Sequence, residues 1–315
     1  MNRSILRSTA LTAALALAMV APAYCTEVAI VRADPGTGLG REDPTPKAPE
    51  GLNPGTSLGE QRTIAYQFAA DLWGAVLQSD ATIFVGASFQ PLACTPTSGT
   101  LGSAGTTFVF SDFTPGVVPN TWYPSALSDA LAGSDLNPGS IHINSRSNGD
   151  IGVNPNCLTG SDWYYGLDGN TPVGKINFLN VVVHQIGHGL GFQGFTGSTG
   201  AFFSGRQDIY STFAYDNVLA KTFPQMTQAE RNFSLRNTSQ LVWNGAEVTQ
   251  QASLVLDNRS VLVVQSPGVI AGSYEVGFAG FGAVPSAANF TGTVVAAIDA
   301  GGVSNADGCE PISNA

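Results

Sequence analysis

Residues 174–191 read GKINFLNVVVHQIGHGLG. The apolar residues of this stretch recur at intervals of mostly three and four, at Ile176, Leu179, Val183, Ile186 and Leu190. Such spacing places apolar side chains along one side of an α-helix, so the stretch predicts a buried helix. Gly189 and Gly191 stand in and after its last turn, and glycine is the residue that most often ends a helix.

Two of the three histidines in the chain, His184 and His188, stand four residues apart on this helix. Residues at that spacing share one helix face with Cβ atoms about 5–6 Å apart, so both imidazoles can reach one zinc ion at about 2.0–2.1 Å. The alternative interpretation is a pair of core histidines on an apolar helix. The glycine-rich end of the helix and the export signal described below favour a metal site.

Residues 184–192 (HQIGHGLGF) resemble the HEXXH zinc helix of the zincin metallopeptidases, in the HEIGHGLGF form of secreted bacterial proteins with a protease-associated (PA) domain. The resemblance extends to residues 163–169 (WYYGLDG), 207–210 (QDIY) and 241–245 (LVWNG), and it covers most of the chain from Leu58 onward. It implies an α+β fold, a bound Zn²⁺ and the hydrolysis of a peptide or protein substrate by metal-activated water.

One position departs from that pattern. Zincins carry a glutamate after the first histidine, which takes a proton from the zinc-bound water and passes it to the leaving amine. This chain has Gln185, whose amide has nearly the same shape but cannot act as a base near neutral pH. General acid–base catalysis contributes about 10²–10⁴-fold, so we expect a peptidase homologue with impaired turnover. A non-catalytic zinc- or peptide-binding pseudopeptidase module is the alternative.

The third metal ligand is left open by the sequence. The strict metzincin pattern would place a histidine at position 194, where this chain has Gly194. Asp208 lies twenty residues after His188, a spacing similar to that of the third-ligand glutamate in thermolysin-like zincins, and Asp216 is the other candidate. Either aspartate could instead be structural, Asp208 as a helix N-cap and Asp216 as a turn residue.

Three other features near the motif have both functional and structural interpretations. His142 falls in a predicted strand at residues 140–144 (SIHIN), and we expect it to be an exposed strand residue rather than a ligand. Residues 163–168 could supply a tyrosine to the oxyanion formed during peptide hydrolysis, although simple packing of these aromatics is the interpretation we favour. Met226 could form a floor beneath the metal or simply occupy a core.

The amino terminus has the features of an export signal. Arg3 and Arg7 precede an apolar run at residues 10–20, and Ala21-Pro22-Ala23 offers a small-x-small cleavage pattern. Residues 1–23 are therefore predicted to be a signal peptide, and the mature protein is expected to be secreted to the periplasm or the medium. The eleven-residue apolar run is too short for a bilayer core of about 30 Å, so we expect no membrane span.

Charge and cysteine content narrow the function classes further. The chain has 13 Lys and Arg residues against 23 Asp and Glu residues, a formal net charge of −10. It lacks the basic surface that phosphate backbones require, so nucleic acid is not an expected partner.

Export places the cysteines in an oxidising compartment, where Cys94 and Cys157 are the natural disulfide pair. Cys309 is left without an obvious intrachain partner, unless cleavage after Ala23 leaves Cys25 available.

The sequence predicts four segments along the chain. After the signal peptide, residues 24–57 read as a flexible Pro/Gly-rich arm. Residues 58–237 form the expected zincin-like domain, which opens with a helix at 58–78 and a strand at 81–92. Residues 238–315 are expected to be all β, with short strands at 253–256, 261–265, 274–278 and 292–299.

The resemblance also implies what the last segment is. Residues 271–277 and 307–311 have counterparts in the PA domain, and in the family that domain continues well beyond the second of them. We therefore expect residues 238–315 to be a partial, truncated PA-like domain, whose missing part would hold the partner of Cys309.

Overall fold

The structure is a computed structural model that describes residues 26–256 except 37, 39 and 238, together with the strands at 261–264 and 272–275. The chain divides into two compact units, Met1–Val242 and Trp243–Ala315. The predicted signal peptide, Cys25, and the PA-like sequence at 307–311 with Cys309 lie outside the described residues.

The described part of the chain is mixed α+β, which confirms the predicted class in its coarse form. The helices are α1 (Leu58–Gly74), α2 (Ser125–Ala132), α3 (Phe178–Leu190), α4 (Gln228–Ser234) and α5 (Ala246–Leu256). The first strands are β1 (Val28–Arg32), β2 (Ile83–Gln90), β3 (Gly102–Thr106), β4 (Val109–Phe110), β5 (Tyr123–Pro124) and β6 (Ile143–Asn148). The others are β7 (Asp162–Tyr164), β8 (Lys175–Asn177), β9 (Ala214–Asp216), β10 (Lys221–Thr222), β11 (Leu241–Trp243), β12 (Val261–Val264) and β13 (Gly272–Glu275).

The main sheet has four strands in the order β1-β2-β6-β3. Strands β1, β2 and β6 are parallel, and β3 pairs with β6 in the antiparallel direction at the edge. Helices α1 and α3 pack on this sheet and on each other. The core between them is built from fully buried residues that include Tyr66, Val85, Ile143, Phe178 and Ile186. Smaller sheets are formed by β10-β9-β11, β4-β5 and β7-β8.

Helix α3 is the helix predicted from residues 174–191, but it begins later because residues 175–177 form β8. The side chain of Asn177 caps it by accepting a hydrogen bond from the amide of Asn180 at 2.8 Å. Gly189 lets the helix approach the sheet closely, since a Cβ atom there would lie 2.2 Å from Cγ2 of Ile143. On the other side, the indole of Trp73 in α1 donates a hydrogen bond to the carbonyl of Val183 at 3.0 Å.

The segment expected to be a flexible arm differs from that expectation in its described residues. Strand β1 pairs with β2 inside the main sheet. The amide of Asn53, which is buried, donates to the carbonyls of Gln61 and Tyr165 at 3.0 and 2.9 Å. The guanidinium of Arg62 donates to the carbonyl of Gly40 and forms an ion pair with Asp43 at 3.0 Å. Polar residues that lack periodicity in the sequence thus obtain partners from distant parts of the fold.

The second unit also departs from the sequence prediction. Residues 253–256, expected as a strand in an all-β region, form the end of helix α5. The residues that begin this helix, AEVTQQ, are mostly good helix formers. Their helical preference extends through the apolar residues 253–256, which by themselves suggested a strand. Strands β12 and β13 pair in the antiparallel direction. Strand β12 lies in the stretch predicted at 261–265, and β13 overlaps the stretch predicted at 274–278 only at residues 274 and 275. The strand predicted at 292–299 lies outside the described residues.

Two further expectations concern covalent and membrane features. Cys94 and Cys157 form a disulfide with Cα atoms 5.1 Å apart, which confirms the predicted pair. Within the described ranges, no helix has the length and apolar character needed to cross a membrane.

Candidate metal site

The histidine pair lies on the solvent side of α3. Val182 and Ile186 turn toward the core, whereas His184 is exposed and His188 is partly exposed. The two rings are nearly perpendicular, with centroids 4.5 Å apart, and their Nε2 atoms are separated by 2.8 Å. Two nitrogen ligands of a tetrahedral zinc ion lie about 3.3 Å apart when each bond is about 2.0–2.1 Å. The pair therefore needs only a small side-chain adjustment to bind one ion.

A backbone group fixes the orientation of His188. Its Nδ1 atom lies 2.8 Å from the carbonyl oxygen of Phe192, in the turn that follows the helix. Because a carbonyl can only accept, Nδ1 carries the ring proton and Nε2 keeps a lone pair. Metal-binding histidines almost always donate their second ring N–H to a carbonyl or a carboxylate in this way. The Nε2 atom of His188 is thus prepared to bind a cation beside His184.

Strand β3 runs along the same helix. A Cβ atom on Gly102 would lie 3.1 Å from Cγ of Gln185, and one on Gly105 would lie 3.0 Å from Oε1 of Gln193. The strand therefore passes from Gln185 to Gln193, which lies beyond the end of α3. Glycine at both positions allows the backbone to approach the helix this closely.

One edge of β3 has no strand beside it in the described structure. The carbonyl of Leu101 accepts from the amide of Asn148, and the amide of Thr107 donates to the carbonyl of His142. Since backbone groups alternate in direction along an antiparallel strand, the N–H and C=O groups of residues 102, 104 and 106 face away from β6. They form a backbone edge beside the histidine helix that can pair with another chain.

The first candidate for a third ligand, Asp208, is buried and fully hydrogen-bonded. Its Oδ1 accepts from the amide of Ser211 at 2.8 Å. Its Oδ2 accepts from the amide of Phe195 at 2.9 Å and from the hydroxyl of Ser211 at 2.8 Å. These bonds link Asp208 to Ser211 in the short 3₁₀ turn Tyr210–Thr212 and to the segment that leaves α3.

The second candidate, Asp216, is also buried and occupies a turn. Its Oδ1 accepts from the amides of Val218 and Leu219 at 2.8 and 2.9 Å. Burial raises the pKa of this carboxyl, but hydrogen bonds from the amides of Leu219 and Val218 and from the side chain of Asn237 outweigh burial and hold the pKa below its usual value. In the described part of the chain, no carboxylate oxygen lies within 4.8 Å of both histidine Nε2 atoms. The assignment of Asp208 or Asp216 as third ligand stays a prediction.

The aromatic residues upstream of α3 pack, as favoured from the sequence. Trp163 and Tyr165 are buried in the main core. The hydroxyl of Tyr164 donates to Oδ1 of Asp168 at 2.7 Å, which raises the pKa of the phenol to about 12. Burial raises the pKa of Tyr165 to about 12 as well, and its oxygen accepts from Arg62. Both phenols therefore have partners within the fold.

Met226 is a core residue, which was one of its two interpretations from the sequence. It is buried in a small second core with Ala214 and Phe223. Phe223 belongs to the short 3₁₀ turn Phe223–Gln225, and Met226 follows this turn directly. The flexible side chain of methionine packs well in small cores of this kind.

His142 contradicts the expectation of an exposed strand histidine, because only 1% of its surface is exposed. Its Nδ1 accepts a hydrogen bond from the amide of Phe84 at 2.9 Å. Its Nε2 lies 3.0 Å from Oδ2 of Asp129 and 3.6 Å from Oδ1 of Asp135. By distance alone, these three side chains form a group that could hold a metal ion.

The tautomer of His142 argues against a metal there. A backbone amide can only donate, so Nδ1 holds the lone pair and the ring proton lies on Nε2, toward the carboxylates. A cation bound at Nε2 would need the lone pair on Nε2 and the ring proton on Nδ1. That proton would then point at the N–H of Phe84, and two donors would face each other. The Nε2–H lies near Asp129 but off the direction of a good hydrogen bond, and Oδ1 of Asp129 accepts from the amide of Leu136 at 2.9 Å. We therefore regard the group as a structural contact between α2, β2 and the start of β6.

The exposed pair is thus the better metal-binding arrangement of the two. Neutral imidazoles suit zinc and neighbouring transition metals, and the partner of His188 Nδ1 selects the required tautomer. Sequence reasoning missed the buried group because Phe84, Asp129 and His142 are joined only by the fold.

Comparison with known proteins identifies no relative: no protein-family model, no curated protein and no solved structure matches this chain.

Proposed function

We propose that this chain is an exported, zinc-dependent metallopeptidase homologue whose turnover is impaired by Gln185. Zn²⁺ would be held by His184, His188 and one aspartate, Asp208 or Asp216. The observation that carries the proposal is the 2.8 Å contact between Nδ1 of His188 and the carbonyl of Phe192, which leaves Nε2 able to bind a cation beside His184.

The chemistry follows from the donor set and from Gln185. A bound zinc ion would supply a water molecule activated for attack on a peptide carbonyl. Gln185 lies on the same helix against Gly102, in the position that the glutamate holds in zincins. Its amide can orient a water molecule by hydrogen bonding, but it cannot accept the proton that must be moved to the leaving amine.

The edge of β3 supports a peptide as the ligand. An extended peptide can add to an exposed sheet edge through main-chain hydrogen bonds, which give affinity without reading the sequence. The outward backbone groups of Gly102, Ala104 and Thr106 provide such an edge beside the histidine helix. A peptide bound there would lie alongside Gln185 and the metal ligands.

A second function fits the same geometry. Because Gln185 removes only the general base, the groove and the metal could serve to hold peptides without cleaving them. In this alternative the protein is a zinc-containing pseudopeptidase that binds extended segments of other proteins at β3.

One preparation can test both functions. The full chain is purified without chelator, its zinc content is measured, and casein hydrolysis is assayed on the same sample. We expect a zinc content of about one per chain, whereas a value below ~0.2 would overturn both metal-based functions. Slow hydrolysis that stops on adding a chelator would establish the peptidase. Zinc-dependent peptide binding without hydrolysis would establish the pseudopeptidase. The His184→Ala protein, purified in parallel, controls for zinc bound elsewhere.

A further inference from the structure

Two glycines bring the turn that carries His188 close to the elements around it. Toward the sheet, a Cβ atom added to Gly189 would lie 2.2 Å from Cγ2 of Ile143. Toward α1, a Cβ atom added to Gly187 would lie 3.2 Å from Cζ2 of Trp73, which is tighter than an ordinary van der Waals contact. The last turns of α3 are therefore in close contact with the sheet and with the indole ring of Trp73.

The same indole binds the backbone of α3 one turn earlier. Its N–H donates to the carbonyl of Val183 at 3.0 Å. That carbonyl belongs to the peptide group whose nitrogen is the backbone nitrogen of His184. Because a peptide group is planar and rigid, a hydrogen bond on its oxygen also restrains the nitrogen and the Cα atom of the next residue. Trp73 therefore restrains the backbone of His184 from outside the helix.

The two histidines are held in different ways. The ring of His188 is oriented directly, by the contact between its Nδ1 atom and the carbonyl of Phe192. In the described part of the chain, the ring of His184 has Nε2 of His188 as its hydrogen-bonding neighbour and no backbone group that orients it. The position of the His184 ring therefore depends on its own backbone, which is where the Trp73 contact acts.

The carbonyl of Val183 does not need the indole. A carbonyl inside an α-helix already accepts from the amide four residues further along, here that of Gly187. The hydrogen bond from Trp73 is thus an additional contact that ties α1 to α3 at the histidine pair. Trp163 makes a hydrogen bond of the same length, from its indole to the carbonyl of Asn148 at the end of β6, and offers a comparison away from α3.

We propose that Trp73 is a positioning residue of the candidate metal site, which holds the backbone of α3 so that Nε2 of His184 stays beside Nε2 of His188. This inference rests on the proposed function and adds to it a residue from outside the histidine helix. Two features of the contact carry the effect. The indole N–H holds the peptide group of Val183, and the absence of a side chain at Gly187 lets the ring approach.

The test measures metal binding by the full chain, with zinc affinity from competition with a coloured chelator and ligand geometry from the visible spectrum of bound Co²⁺. Trp73→Phe keeps an aromatic ring but removes the N–H. Its zinc affinity should fall by about tenfold, the lower end of the loss caused by removing outer partners of metal ligands, and its cobalt spectrum should change. Trp163→Phe is the matched control, because it removes an indole hydrogen bond that is also 3.0 Å long and lies in the main core.

A second variant acts on the same contact without removing the indole. Gly187→Ala favours the helix by intrinsic propensity, so a loss of zinc affinity in this protein does not come from a weaker helix. The added Cβ atom would meet the ring of Trp73. Zinc affinity should therefore fall when Trp73 is present and fall less in the Trp73→Phe background, where the shorter ring leaves room. This variant keeps the inference testable if Trp73→Phe does not fold.

The outcomes separate the inference from the function on which it rests. If the wild-type chain binds neither zinc nor cobalt, the proposed function fails and the inference fails with it. If the wild-type chain binds zinc and the changes at Trp73 and Gly187 alter neither affinity nor spectrum, the inference is overturned and the proposed function stands. Equal changes in Trp73→Phe and Trp163→Phe would trace the effect to a general loss of stability and would also overturn the inference. Thermal melts of the metal-free proteins show which variants are folded.

Discussion

The exposed pair and the buried His142 group contain the same kind of side chain and differ in one backbone partner. Nδ1 of His188 meets a carbonyl, and Nδ1 of His142 meets an amide. The carbonyl leaves a lone pair on Nε2, whereas the amide leaves a proton there. The comparison teaches that closeness of ligand atoms does not make a metal site, because the tautomer decides whether the nitrogen can bind.

Burial separates the two groups as well. His142 and Asp129 are buried, and Nδ1 of His142 is the acceptor for the amide of Phe84, so loss of the ring leaves that amide without its partner. His184 is exposed and makes no contact that the core depends on. We therefore expect changes at the pair to affect metal binding and catalysis, and changes at His142 to affect stability.

The largest expected effect concerns the residue between the two metal ligands. Gln185→Glu supplies the missing base, so peptidase activity on casein should rise by about 10²–10⁴-fold and should be abolished by a zinc chelator. Gln193→Glu is the control, because Gln193 also contacts β3 but lies beyond the helix. A folded, zinc-loaded Gln185→Glu protein without activity on a broad peptide library would show that the site serves binding only.

The second prediction separates the two histidine groups directly. His188→Ala should weaken zinc binding by at least about 100-fold, since even loss of an outer partner of a ligand costs 10–100-fold. His142→Ala should leave the zinc affinity of the folded protein unchanged. Isothermal titration with zinc on both variants measures this difference. Loss of zinc in the His142 variant with retention in the His188 variant would reverse the tautomer argument and place the metal among Asp129, Asp135 and His142.

The third prediction concerns stability. His142→Ala should lower the free energy of unfolding by about 3 kcal/mol, because the amide of Phe84 loses its acceptor and Asp129 stays buried without the ring. His184→Ala should change it by less than about 0.5 kcal/mol, as is usual for an exposed residue. Chemical denaturation of both variants without zinc provides the comparison. Equal losses in the two proteins would contradict the structural role of His142.

The smallest expected effect is on the pH dependence of stability. Burial raises the pKa of Asp129 in the folded state, although the amide of Leu136 and His142 oppose it. The folded protein therefore holds this proton more tightly than the unfolded chain. Its contribution to stability is present at low pH and is lost as pH rises through the folded-state pKa. Asp129→Asn removes this titration.

Thermal melts of the wild-type and Asp129→Asn proteins at intervals between pH 4 and pH 7 test this sign. Relative to the variant, the wild-type melting temperature should fall as the pH rises. Parallel curves would mean that folding leaves the pKa of Asp129 unchanged and would contradict the prediction. A relative rise would mean that the carboxylate is stabilised as an anion in the folded state, and that result would also favour a cation in the group.

Features that depend on local spacing were predictable. The three- and four-residue period of residues 174–191 predicted α3, and the period alone places His184 and His188 on one face. The departure at Gln185 is visible without any structure. The Cys94–Cys157 pair followed from export and from the position of the two cysteines. The all-β prediction after residue 237 failed at α5, because a short apolar run has no period that separates a strand from the end of a helix.

Local sequence patterns were enough to predict α3, the spacing of its two histidines, the consequence of the amide at position 185 and the disulfide. Which histidine nitrogens keep a lone pair could be read only from the folded chain, since that depends on a carbonyl at Phe192 for one ring and an amide at Phe84 for another. The tertiary structure also shows that β1 enters the sheet and that, among the described strands, none pairs with the outer edge of β3 beside α3. The physical reason is range: helix periodicity acts over a few residues, whereas hydrogen-bond partners come from wherever the folded chain brings them.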